Sequence, residues 1–146
     1  MALNAPLLRE SFALVTEREP RLVNRFYEIL FERYPQARPL FGKNSGDRQA
    51  EMLRSALVAV LDHLEDEAWI VATLKQLGAK HVDYAVTDEM YGWVGESLIA
   101  AMAEVADADW TPEHTATWAD AYGVIATLMQ QGGAEVVAER AARAPA

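Results

Sequence analysis

The chain has 146 residues, 51% of them apolar, with 13 basic against 22 acidic side chains and a formal net charge of -9. That excess of carboxylates argues against a partner bound by neutralising its phosphates, whether a nucleic acid or an anionic membrane surface. The absence of cysteine removes disulfides, thiolate metal sites, a nucleophilic thiol and thioether-attached cofactors.

The pattern is helical almost throughout, with no alternating strand and no repeat. Asn4 with Pro6 starts a helix that runs to about Arg18. Glu19-Pro20 restarts the chain. The second helix carries Leu22, Phe26, Ile29 and Leu30 on one flank, and Val23, Tyr27, Leu30 and Tyr34 on the adjoining one. Pro35 ends or bends it, and Pro39 falls in a short turn before Leu40-Phe41. Gly42 to Gly46 reads as a loop, with Ser45 or Asp47 capping a third helix to about Leu64. Gln49 heads an apolar stripe on that helix, Leu53, Ala56, Val60 and Leu64. Asp66 starts a fourth helix whose stripe is Ile70, Leu74, Leu77 and His81. Val82 to Thr87 connect it to a fifth helix, started by Thr87 or Asp88, with Tyr91, Val94, Leu98, Met102 and Val105 on its face.

Thr111-Pro112-Glu113 supplies a capping hydroxyl, a proline at the first helical position and an acid near the positive helix end. It opens a last helix that buries Trp118, Tyr122, Ile125 and Met129. Gly132-Gly133 is expected to weaken or end that helix, because each glycine costs about 1 kcal/mol relative to alanine. The expectation is therefore a single all-α domain over residues 1–146, with six to eight helices, a core over about 7–131 and a loosely attached tail over 132–146. The N-terminus, MALNAPLLRESF, has no basic stretch leading into a long apolar run, and no apolar run is longer than Ala56 to Leu61, which is far too short to span a bilayer. A cytoplasmic protein is expected.

His81 is the most informative residue. An imidazole at the end of an apolar stripe can face a buried pocket and leave one ring nitrogen free. Tyr27 and Gln49 add a phenol and an amide from two other helices. One ligand and two hydrogen-bonding groups are what a buried haem with a gas-binding face requires. Each residue also has an ordinary reading. A lone histidine on an apolar stripe is more often structural than a ligand, Tyr27 can bond a backbone carbonyl, Gln49 can turn to solvent, and Tyr91 and Phe41 can be plain core aromatics. His63 and His114 read as solvent-facing, and no pair of histidines has a zinc-like spacing. The four tryptophans read as packing residues, and Glu65-Asp66-Glu67 as a solvated helix start.

Four collinear stretches narrow the choice: FYEILFERYPQARPLF from Phe26 to Phe41, LKQLGAKHVDYAV, MYGWVG and WADAYGVIATLM. In order and approximate spacing they resemble bacterial single-domain globins and the globin domain of flavohaemoglobins, over roughly residues 7 to 131. The resemblance implies a globin fold holding one non-covalent haem b per chain, with His81 as the proximal iron ligand. It implies that Phe41 packs on the porphyrin, that Leu53, Leu77 and Val86 are apolar haem contacts, and that Tyr91 lies near the proximal pocket. Tyr27 and Gln49, with Leu53, match the distal face, where hydrogen-bond donors stabilise dioxygen more than carbon monoxide. No residue is assigned a catalytic role.

The implied function is binding of diatomic gases: dioxygen reversibly, and also nitric oxide and carbon monoxide, by a monomer or weak homodimer. The alternatives are conversion of nitric oxide and dioxygen to nitrate, or gas sensing through a partner. The sequence shows no Gly-rich dinucleotide loop after a strand, so enzymatic turnover would need an external reductase. One position departs from the pattern. Gly133 stands where these relatives carry a glutamate that bonds the proximal histidine and the tyrosine matching Tyr91; the nearby Glu135 is out of register. A carboxylate partner makes a histidine ligand more basic.

Overall fold

The structure is a computed structural model describing residues 3–41 and 46–144. Among those residues it contains six α-helices and two 3-10 segments. They run α1 (Ala5–Arg18), α2 (Leu22–Arg33), a 3-10 segment (Pro35–Phe41), α3 (Gly46–Asp62), α4 (Glu67–Asp83), α5 (Asp88–Ala106), a 3-10 turn (Asp107–Asp109) and α6 (Pro112–Arg143). The loop expected over Gly42 to Ser45, including Ser45 as a cap, lies outside the described residues. Asp47 sits inside the first turn of α3, where its carboxylate accepts from Arg21 and Asn24. No helix among the described residues is long and apolar enough to cross a membrane.

Helix starts follow local chemistry. Asn4 accepts from the Leu7 N–H, Asp66 from the Trp69 N–H and Thr111 from the His114 N–H. Each such cap is worth about 1 kcal/mol. Helix α1 then buries Leu8, Phe12 and Val15, and α2 buries Leu22, Val23, Phe26, Ile29 and Leu30. Ser11, buried with them, donates to the Leu7 carbonyl and accepts from the Trp118 indole N–H at 2.8 Å, so one hydroxyl satisfies α1 and anchors α6.

Two helix pairs organise the molecule: α2 packs on α5, and α4 packs on α6. Among the described residues, the most extensive packing of α4 is with α6. Glycines make that contact possible. A Cβ on Gly78 would stand 1.8 Å from the Met129 carbonyl oxygen, and one on Gly132 would stand 2.0 Å from the Lys75 carbonyl oxygen.

The pair Gly132-Gly133 therefore does not end the last helix, which continues to Arg143. Both glycines are buried against α4, and the packing they admit offsets their poor helix propensity. Helix α3 likewise stops at Asp62 rather than near Leu64.

The buried apolar residues fall into two clusters. One joins α1, α2, α3, α5 and the start of α6, with Phe26, Leu30, Leu57, Leu98, Met102 and Trp118 among its members. The other is smaller: Ile70 and Leu74 from α4, Tyr91 from α5 and Met129 from α6.

Candidate functional site

His81 lies near the C-terminal end of α4 and is half-buried. Its Nδ1 donates to the Leu77 carbonyl at 2.8 Å, one turn back, which leaves Nε2 as the nitrogen available to another partner. Burial lowers the pKa of the ring, partly offset by the bond to Leu77, so the neutral imidazole is favoured. The Tyr84 ring meets it edge-on at 5.6 Å, and the Tyr91 ring is 6.4 Å away.

The end of α4 fixes the next wall residue. The Val86 N–H reaches back to the His81 carbonyl at 3.2 Å, and the Ala85 N–H to the Val82 carbonyl at 3.1 Å. These are the paired bonds of a Schellman motif, which brings the residue after the turn against the last helical turn. Val86 is thereby held next to His81. The motif needs a left-handed residue, and Ala85 supplies it at φ 61° where glycine is usual. Ala85→Gly is expected to raise stability by about 0.5–1 kcal/mol, net of the added freedom of the unfolded chain. Urea unfolding measures this; a loss of stability would mean that Ala85 is not left-handed in solution.

A second group of side chains comes from α2, α3 and the Pro35–Phe41 segment. The Gln49 amide donates to the Tyr27 hydroxyl at 3.3 Å, a long hydrogen bond. Tyr27 sits among aromatic rings, 4.7 Å from Phe26, 5.9 Å from Phe31 and 5.4 Å from Phe41. Burial raises its pKa, with the Gln49 bond as a smaller opposing effect, so the phenol keeps its proton. Leu53 follows Gln49 by one turn and is half-buried.

The structure thus brings Tyr27, Gln49 and Phe41 together, and packs Tyr27, Phe41 and Leu53 on the larger cluster. It places Leu77, Val86 and Tyr91 in the smaller cluster, with His81 beside them.

Two contributions were not visible in the sequence. One is the Leu77 carbonyl, which orients the His81 ring; Leu77 reads only as an apolar side chain. The other is Tyr122, whose hydroxyl donates to the Tyr91 carbonyl at 2.6 Å and ties α5 to α6. Tyr122 reads as a core aromatic, and only the approach of the two helices reveals its polar end.

Near His81 the acids are engaged elsewhere. Glu135 pairs with Lys75 at 2.8 Å, and Asp83 with Arg140 at 2.8 Å. Gly133 faces Val82 and the Gly78 carbonyl. The other histidines are half-buried rather than solvent-facing. His63 donates from Nδ1 to the Ala59 carbonyl and stacks on Trp69 at 3.8 Å, while His114 bonds Thr111 and stacks on Trp110. Among the described residues no group of three or more His, Cys, Asp or Glu side chains could hold a metal ion.

The globin family model matches residues 24–129. The chain belongs to the globin family. Globins as a family bind haem. This globin is 32% identical over 137 residues to a flavohemoprotein of Bacillus thuringiensis, covering 92% of its own length but 34% of that relative's. It superposes with a TM-score of 0.82 on an engineered carbene transferase from Rhodothermus marinus, described as a candidate nitric oxide dioxygenase, at 28% identity over 97% of this chain and 98% of that one. A bacterial globin from Campylobacter jejuni shares the fold, with a TM-score of 0.76 at 23% identity over 91% and 96% of the two chains.

Proposed function

We propose that this globin binds haem b, that His81 would ligate its iron, and that Tyr27 and Gln49 would serve the binding of diatomic gases. The observation that carries this reading is the His81 ring, whose Nδ1 is committed to the Leu77 carbonyl and whose Nε2 remains available. The donor set fits the group. A neutral imidazole suits haem iron, the aromatic and aliphatic walls suit a porphyrin, and the chain has no thiolate to compete. When bound, haem supplies an iron coordination position open to a small gas.

The protein's own part is positioning and polarity. Leu77 holds the tautomer of His81 and the direction of its ring. Phe41, Leu53, Leu77 and Val86 exclude water. Tyr27 accepts from Gln49 through its oxygen, and burial keeps the phenol protonated, so its own O–H can donate to a ligand that carries negative charge. Such a bond favours dioxygen over carbon monoxide, because a donor fixed in a dry pocket rewards the more polar ligand. Tyr91 supports the His81 side by packing, with its backbone held from α6 by Tyr122.

The test is Tyr27→Phe, followed by stopped-flow release of the two gases. Dioxygen release is expected to quicken by about tenfold, the equivalent of ~1.4 kcal/mol for one lost hydrogen bond, with carbon monoxide release little changed. An unchanged dioxygen rate would remove Tyr27 from the site.

A second reading, nitric oxide dioxygenation with an external reductase, draws on the likeness to the Rhodothermus marinus protein. It predicts repeated turnover of nitric oxide once a reductant is supplied. The His81 environment weighs against it: a neutral carbonyl rather than a carboxylate accepts from Nδ1, which leaves the ligand less basic.

A further inference from the structure

Helix α4 carries His81 and, among the described residues, packs most extensively on α6. The glycine contacts with α6 run along α4 from Lys75 to Val82. Beyond them the last part of α6 has little to bury: Ala134, Glu135 and 137–143 are exposed, and Val136 is half-buried. A helix with so small an apolar face would fray unless something else held it there. What this segment does possess is a pair of links back to α4. Lys75 meets Glu135 at 2.8 Å, and Arg140 meets both oxygens of Asp83, at 2.8 and 3.4 Å. Those contacts straddle His81. Asp83 is the last residue of α4 and belongs to the Schellman turn that sets Val86 against His81.

We propose that residues 134–143 act as a splint for the end of α4, with Arg140 serving through Asp83 as a positioning residue for His81. The fork geometry suits the task. A guanidinium bonded to both carboxylate oxygens restrains direction as well as distance, which a lysine cannot do as well. Exposed pairs of this kind add little to global stability. The effect therefore belongs to local opening of the α4 end, and not to unfolding of the whole chain. The haem readouts rest on the proposed function; the backbone readout does not.

The experiment compares the 146-residue chain with Arg140→Glu, with Arg140→Lys and with the charge swap Asp83→Arg/Arg140→Asp. Three quantities are read: amide hydrogen exchange at Tyr84, Ala85 and Val86, the iron–histidine stretching frequency of the ferrous form, and the rate of haem transfer to an acceptor. Arg140→Glu is expected to speed exchange at the three amides and haem loss by about fivefold, and to shift the stretching frequency. The swap is expected to recover most of this and lysine part of it. Unchanged exchange at the three amides in Arg140→Glu would overturn the splint. So would an acceleration spread evenly over all helices, which would signify general destabilisation. If the parent protein takes up no haem, the proposed function fails while the exchange data still decide the splint.

Discussion

Haem-loaded His81→Ala is expected to lose the absorption spectrum of a histidine-ligated iron in the ferric, ferrous and carbon monoxide forms. It should release haem at least about a hundredfold faster than the parent, since loss of groups that merely orient a ligand already costs 10–100-fold. The chain's other two histidines are held in stacks of their own. His63 and His114 are engaged with Ala59 and Thr111 and stacked on Trp69 and Trp110. No cysteine exists in the chain. Added imidazole should partly restore the parent spectrum, because the cavity left by the side chain keeps the Leu77 carbonyl that oriented the original ring. A spectrum indifferent to His81 would leave a globin fold whose haem chemistry lies elsewhere, and the roles given to Tyr27 and Gln49 would go with it.

Gly132→Ala and Gly78→Ala are expected to destabilise the protein by about 3 kcal/mol each, the upper part of the range for overpacking. In both cases the added methyl would fall within 2.0 Å of a carbonyl oxygen on the facing helix. Backbone cannot step aside as a flexible side chain can, so α4 and α6 must separate. Because α4 packs more extensively on α6 than on any other described element, that separation would carry His81 with it. Haem affinity should fall alongside stability. Gly92→Ala and Gly123→Ala supply the control, since a methyl there meets nothing within 4 Å. These two are expected to gain up to about 1 kcal/mol from helix propensity. Urea unfolding of the four variants separates the cases, and Gly132→Ala at parent stability would refute the contact.

Much of the helical framework was readable from short-range chemistry. Asn4, Asp66, Thr87 and Thr111 stand at helix starts because each can meet orphan N–H groups within one turn, or begins the turn that does. The stripe Ile70, Leu74, Leu77 and His81 is a face of α4 for the same local reason, with Ile70 and Leu74 fully inside and the other two half-buried. The grouping of Tyr27 with Gln49 was less readable. It depends on where α3 begins after the 3-10 segment, and no residue spacing alone states that the amide lies 3.3 Å from the phenol.

The unbroken course of α6 past Gly132-Gly133 was not readable, for a related reason. Two adjacent glycines are poor helix formers when considered alone, and nothing in their neighbourhood announces the helix they lie against. Caps and stripes act over one or two turns, so composition and order suffice for them. The separation of α4 from α6 is set instead by side chains that are missing at Gly78 and Gly132, and a missing side chain has meaning only once another backbone occupies its space. The Arg140–Asp83 and Glu135–Lys75 links are likewise invisible until α6 is seen to run on beside α4. Local chemistry thus put His81 on a helix and turned it inward. The meeting of two backbones decided where that helix, and the imidazole with it, comes to rest.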